Sequence, residues 1–213
     1  MLQIKIFEFN LISENTYLLY DETKEAVIID CGAHSLSEET LLKDFISQNK
    51  LILKHLLNTH LHLDHTFGNK FIYDTYGLMP EYHRLEEQMP GLKIQAAKFG
   101  MKIEENDWKA ARYIEDGDTI AFGNSELKAI LTPGHSPASL CFYSEDSGVL
   151  FSGDVLFEES VGRSDLWGGN HRQLISVIKN KLLTLPENTV VYPGHGTETT
   201  IKNEKMNNPY LID

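Results

Sequence analysis

Basic side chains are scarce in this sequence. Nineteen Lys and Arg face 31 Asp and Glu, a net charge of −12, so the chain lacks the cationic surface from which nucleic-acid binders draw most of their affinity. Two cysteines, Cys31 and Cys141, are too few for a disulfide framework and fit a reducing compartment. Long apolar runs are missing as well, since no stretch approaches the roughly 20 residues of a membrane span. The opening Met1-Leu2-Gln3-Ile4-Lys5-Ile6-Phe7-Glu8-Phe9 alternates like a strand and has neither the basic nor the apolar region of a signal peptide. No Pro- or Ser-rich spacer, low-complexity tract or charge block interrupts the chain. With 41% hydrophobic and 23% charged residues over 213 positions, the expectation is a single domain, residues 1–213, in the cytoplasm, with neither nucleic acid nor membrane as partner.

What the sequence does have is histidine in the wrong statistical place. Nine histidines in 213 residues put about a quarter of one in a six-residue window, yet His60-Leu61-His62-Leu63-Asp64-His65 holds three, with a carboxylate among them. Imidazole and carboxylate suit zinc, iron or manganese, and a zinc site normally takes three or four protein ligands. Four groups in one loop can begin two metal sites but cannot complete both. Three further segments offer the remainder: Leu131-Thr132-Pro133-Gly134-His135, Phe151-Ser152-Gly153-Asp154 and Val191-Tyr192-Pro193-Gly194-His195-Gly196. In each, an apolar run that reads as a buried strand breaks at glycine or Pro-Gly, and a ligand-type residue follows at once. Strand ends are where a rigid frame carries functional loops. His34, His55, His83 and His171 sit in no such motif and read as surface or capping groups. Cys31 reads as a small buried residue, because no histidine and carboxylate are left over to activate it.

The coarse layout alternates strands and helices. Ile4–Phe9, Thr16–Tyr20 and Ala26–Asp30 read as strands. Ser35 and Glu38 form a capping box for a helix whose face carries Leu41, Leu42, Phe45 and Ile46. Strand Leu51–Leu57 leads into the histidine loop, then a helix from about Thr66 to Tyr76 stopped by Gly77. Residues 80–108 read as helices and a loop, with Tyr82, Leu85, Met89 and Phe99 as core and a cover over the mouth of the site as the other reading. Strands near Thr119–Phe122 and Glu126–Thr132 join through Gly123-Asn124, and Leu140–Ser144 and Val149–Ser152 follow. A helix from about Arg172 to Leu185 precedes strand Val190–Tyr192.

The pattern His-x-His-x-Asp-His, a histidine after Pro-Gly, Ser-Gly-Asp and a late Pro-Gly-His-Gly resembles the metallo-β-lactamase-fold superfamily, and within it the glyoxalase II-like hydrolases. The likeness runs from Asn15-Thr16-Tyr17-Leu18-Leu19 to Asn208-Pro209-Tyr210. It implies an α/β fold, an αββα sandwich of two mixed sheets flanked by helices. It also implies two divalent metal ions, zinc first and iron or manganese as alternatives. His60, His62 and His135 would hold one ion, Asp64, His65 and His195 the other, and Asp154 would bridge them. Asp64 and Asp154 would thereby be catalytic. Paired ions roughly 3.5 to 4 Å apart lower the pKa of a shared water toward about 7, which makes hydroxide available at neutral pH and removes the need for a Ser or Cys nucleophile.

Substrate is less sharply implied. A small thioester or ester is expected, S-2-hydroxyacylglutathione being the leading example. Only the 18 residues from Gly196 to Asp213 follow His195, whereas full-length glyoxalase II carries a C-terminal helical domain that grips glutathione. Val161-Gly162-Arg163-Ser164-Asp165-Leu166 resembles a segment of short glyoxalase II-like proteins and of persulfide dioxygenases. Arg163 could clamp a substrate carboxylate or simply pair with Asp165. A mononuclear iron persulfide dioxygenase using His60, His135 and Asp154 is the alternative enzyme, a lactonase a third, and a non-catalytic metal-binding module the fourth reading.

Overall fold

In β2 (Glu14–Tyr20) six of the seven residues are buried, and in β3 (Glu25–Ile29) four of the five. Such runs arise when both faces of a sheet are covered. Neighbouring residues then feed different cores: Tyr17, Leu19, Val27 and Ile29 point one way, Leu18, Ala26 and Ile28 the other. The computed structural model describes residues 1–98, 100–101 and 109–212.

A first sheet of six strands runs in the order β1 (Gln3–Phe9), β2, β3, β4 (Ile52–Leu57), β5 (Pro80–Tyr82) and β6 (Arg112–Tyr113). Its β1–β2–β3 part is antiparallel and its β3–β4–β5–β6 part parallel. The second sheet also has six strands. Its order is β14 (Thr199–Thr200), β13 (Val190–Pro193), β10 (Val149–Gly153), β9 (Leu140–Ser144), β8 (Ser125–Leu131) and β7 (Thr119–Phe122), with β10 and β13 parallel. Between them, in chain order, β11 (Leu156–Phe157) and β12 (Ser160–Val161) form a small hairpin. The two large sheets face each other across a core built from Tyr17, Leu19, Ile29 and Leu57 on one side and Ile120, Phe122, Phe142 and Phe151 on the other.

Helices close both outer faces. α1 (Leu36–Gln48) and α2 (Asn69–Tyr76) cover the first sheet through Leu42, Ile46 and Ile72. α4 (His171–Val177), which continues as a π-helical turn Ile178–Leu182, and α5 (Ile201–Asn207) cover the second through Leu174, Ile178, Leu182 and Ile201. The expected αββα sandwich of two mixed sheets is therefore the observed architecture.

Local expectations fared differently by type. Ser35 and Glu38 do form a reciprocal capping box, and Ser35→Ala should cost about 1 kcal/mol by removing the acceptor of the Glu38 N–H, read as a shift in the midpoint of urea unfolding. Of the expected α1 face, Leu42 and Ile46 are buried and Phe45 packs at the edge, but Leu41, turned away from the Leu42–Ile46 stripe around the helix, is exposed. Gly77 ends α2 in the left-handed region at φ 72°. Residues Pro80–Tyr82 are a strand and not part of a helical insertion. A short 3₁₀ helix, Arg84–Gln88, and α3 (Leu92–Lys98) follow. Tyr82 and Met89 are core as expected, Leu85 is exposed, and Phe99 lies outside the described residues. Among the described residues no helix is long and apolar enough to cross a membrane.

Candidate metal centre

Four strands end at one edge of the sandwich, β4 from the first sheet and β8, β10 and β13 from the second. Each end releases a short turn. Asn58-Thr59 delivers His60 and His62, and the 3₁₀ turn Leu63–His65 delivers Asp64 and His65. Pro133-Gly134 delivers His135, Gly153 delivers Asp154, and Pro193-Gly194 delivers His195. Glycine is required at two of these turns. Gly134 adopts φ 130°, and a Cβ there would sit 2.5 Å from the Leu174 backbone nitrogen. A Cβ on Gly194 would lie 2.2 Å from Asp154 Oδ1 and 2.7 Å from His65 Cε1, so this glycine is what lets the β13 turn lie against the β10 and β4 turns.

All seven side chains named from the motifs converge. His135 Nε2 lies 2.8 Å from His62 Nδ1 and 3.2 Å from His60 Nε2, and the ligand atoms of these three lie within 4.8 Å of one another. Asp64 Oδ2 lies 3.1 Å from His195 Nε2 and 3.3 Å from His65 Nε2, and these three make a second cluster on the same 4.8 Å criterion. Asp154 stands between the clusters. Its Oδ2 is 3.7 Å from His135 Nε2, while its Oδ1 is 3.4 Å from His65 Nε2 and 3.7 Å from His195 Nε2. One carboxylate thus offers one oxygen to each group.

Outer hydrogen bonds decide which ring nitrogen faces inward. His135 Nδ1 donates to the Arg163 carbonyl at 2.7 Å, and His195 Nδ1 to the carbonyls of Ile12 and Ser13 at 3.0 and 3.2 Å. His65 Nδ1 donates to Asp30 Oδ2 at 2.8 Å. The Thr59 hydroxyl gives its proton to Asp30 Oδ2 and so accepts from His60 Nδ1 at 2.9 Å. With Nδ1 turned outward in all four, Nε2 is the nitrogen that faces the centre, as in metal-ligating histidines, and in His60 and His135, which burial keeps neutral, it carries a lone pair. The lone pairs of His60 and His135 Nε2, 3.2 Å apart, repel unless a cation lies between them, and such spacing is near what bonds of about 2.0–2.1 Å to a tetrahedral ion demand. Buried His65 Nε2 and Asp154 Oδ1, which do face the centre, have no hydrogen-bond partner, which buried polar atoms rarely tolerate. The donor set fits a pair of divalent ions.

Electrostatics separate the two clusters. Burial, with neighbouring histidines adding to it, pushes His60 far below the ordinary imidazole range and His62 down to about 3; burial lowers His135 too. That cluster is neutral. In the other, burial opposes charge, but Asp64, Asp154 and Asp30 outweigh it and hold His65 well above its usual range. His195 is likewise raised against burial by its bond to Asp64. Asp64 and Asp154 are lowered despite burial, His65 being the main cause in both.

A family model for the Metallo-beta-lactamase superfamily matches residues 10–195. The chain belongs to this superfamily. It is similar to the probable metallo-hydrolase YqgX of Bacillus subtilis, 33% identical over 201 residues that cover 94% of this chain and 93% of that protein. Hydroxyacylglutathione hydrolase GloC of Haemophilus influenzae is 33% identical over 215 residues, with 99% and 98% covered. The mitochondrial persulfide dioxygenase ETHE1 of Bos taurus is 33% identical over 201 residues, 92% of this chain and 70% of that protein. Among solved structures, BLEG-1 B3 metallo-beta-lactamase superposes with TM-score 0.89 at 34% identity, covering 99% of this chain and 100% of that one. TTHA1623 in a di-iron-bound form superposes with TM-score 0.85 at 33% identity, covering 97% and 100%. The chain is a metal-dependent hydrolase of the superfamily by this kinship and its His/Asp clusters.

The site includes a residue the motif reading passed over. Asp30 is 2% exposed and adopts φ 50° at the end of β3. Its Oδ1 accepts from the Thr59 N–H at 2.8 Å, and its Oδ2 from the Thr59 hydroxyl at 2.7 Å and from His65. Asp30 also lies within ligand range of His60 and His65, but with its oxygens committed to these donors it orients ligands and is not one. In the sequence Asp30 is legible only as the end of the strand Ala26–Asp30. An aspartate in the left-handed region is the signal that structure adds.

Arg163 points elsewhere. Its guanidinium makes an exposed two-pronged pair with Asp165 at 2.8 and 2.9 Å, and only its backbone carbonyl reaches the centre, through His135. Histidines outside the motifs have other tasks: His83 caps the turn at Leu85, His55 pairs with Glu81 at 2.6 Å, and His34 packs on Phe67. Cys31 and Cys141 are buried free thiols, raised by burial, Cys141 to about 12.

Proposed function

We propose that this chain is a dinuclear metal hydrolase that cleaves a small thioester, of the kind represented by S-2-hydroxyacylglutathione. The observation that carries the reading is Asp154, whose two oxygens face two separate His/Asp clusters at 3.4 to 3.7 Å. His60, His62 and His135 would hold one ion; Asp64, His65 and His195 the other; Asp154 would contribute to both. A bound pair supplies a water of lowered pKa as nucleophile and polarises the carbonyl. The chain's own residues do the rest. Asp30, Thr59 and the carbonyls of Arg163, Ile12 and Ser13 keep Nδ1 of His60, His65, His135 and His195 turned outward, and burial keeps the three-histidine cluster free of competing protons. Likeness to GloC over nearly the whole of both chains supports the substrate class.

A chelator-stripped sample reloaded with zinc, iron or manganese should recover activity against S-lactoylglutathione, while a lactone, a chromogenic β-lactam and glutathione persulfide serve as comparators. Two ions per chain with thioester turnover as the highest kcat/KM support the proposal. One iron per chain with oxygen uptake on the persulfide would replace it with the dioxygenase reading, and a preference for the lactone or β-lactam would move the substrate class.

A further inference from the structure

The segment between β5 and β6 supplies none of the seven converging side chains, yet it buries two polar residues against them. Glu86 in the 3₁₀ turn is 0% exposed and Gln95 on α3 is 2% exposed. Glu86 Oε2 accepts the Leu61 N–H at 3.0 Å, the backbone between His60 and His62. Its Oε1 accepts the Ser136 hydroxyl at 2.6 Å and the Ala138 N–H at 2.7 Å, on the turn that follows His135. One carboxylate therefore ties together the only two loops that furnish the three-histidine cluster. Gln95 completes the brace: its Nε2 donates to the Leu61 carbonyl at 3.0 Å and its Oε1 accepts the Leu63 N–H at 3.1 Å.

The loops themselves leave these groups unmet. Residues 60–62 lie outside any strand ladder, so the intervening N–H groups need side-chain acceptors, and a buried one without a partner is costly. A charged acceptor held by three donors is also a stiff link. We infer that Glu86 is a positioning residue for the His60–His62–His135 cluster, setting the distance between its two loops, and has no such role at the Asp64–His65–His195 cluster. The inference rests on the metal-centre reading above.

The test is selective metal affinity in the full chain, stripped of metal and titrated with zinc against a chromophoric chelator. Asp64→Ala as a background isolates the three-histidine cluster; His62→Ala isolates the other. Glu86→Gln keeps volume but puts an amide where one of the two tethers needs an acceptor. It should weaken zinc by about 10- to 100-fold in the Asp64→Ala background, the usual range for an outer partner of a ligand, and by less than about twofold in the His62→Ala background. Equal weakening in both backgrounds, or none in the first, overturns the inference. If Glu86→Gln loses its cooperative melt, Ser136→Ala cuts only the hydroxyl tether, and the same one-sided weakening at a few-fold level is expected, its absence counting against the inference. Failure of the parent protein to take up zinc at either cluster would instead remove the metal-centre reading, and this inference with it.

Discussion

His60→Ala and Asp64→Ala are each expected to abolish turnover while the fold survives. Removing one preorganised stabiliser of a transition state costs about 10²–10³ in rate, and an ion supplies both nucleophile and electrophile, so the loss should exceed a thousandfold. The two variants strike different clusters: His60 belongs with His62 and His135, Asp64 with His65 and His195. Metal analysis should show different residual stoichiometry or affinity in the two, although activity vanishes in both. Fold survival is expected because both residues follow strand β4 and lie outside the apolar clusters between and around the sheets. Far-UV circular dichroism and a melt within a few degrees of the parent would check it. Unchanged kcat/KM in either variant would defeat the assignment.

Asp30→Ala should do the opposite in one respect, damaging stability and metal binding together. Its carboxylate accepts two bonds from Thr59 and one from His65, all buried. Deleting it leaves those donors without a partner and takes from His65, raised in part by this carboxylate, one of its counter-charges. Breaking a buried pair from one side costs about 3–5 kcal/mol, and loss of an outer ligand partner about 10- to 100-fold in metal affinity. Asn is the informative companion, since it also tolerates φ 50°. Asp30→Asn should recover backbone geometry and part of the stability but not the charge on His65. Urea unfolding and zinc competition, measured on both variants, separate the two effects. Equal stability of Asp30→Ala and the parent would show that the buried carboxylate carries nothing.

Legibility followed the range of the interaction that defines each element. The capping box of α1 and the Gly77 stop of α2 depend on neighbours within a turn, and both were readable. The hairpin through Gly123-Asn124 was too. Strand β5 was not, because three residues take their identity from pairing Leu56 with Pro80 and Leu57 with Glu81, a contact no local pattern announces. The Glu86–Gln95 brace was hidden for the same reason. Its partners lie 25 and 52 positions away for Glu86 and 32 to 34 for Gln95.

Composition and motif alone determined the chemical type of this protein: a concentration of imidazole and carboxylate at four strand ends, on a chain patterned for two buried sheets. Side-chain identity carries that information because few residue types bind divalent metals. The family resemblance implied which groups share an ion, but only the tertiary structure supplied the distances: His60 and His62 meet His135, Asp64 and His65 meet His195, and Asp154 divides its oxygens between the two groups. It also decided that Asp30 orients ligands and that Arg163 turns to Asp165. These are matters of distance and direction across two sheets, and a chain acquires them only when burial of the shared core brings the strand ends to one edge.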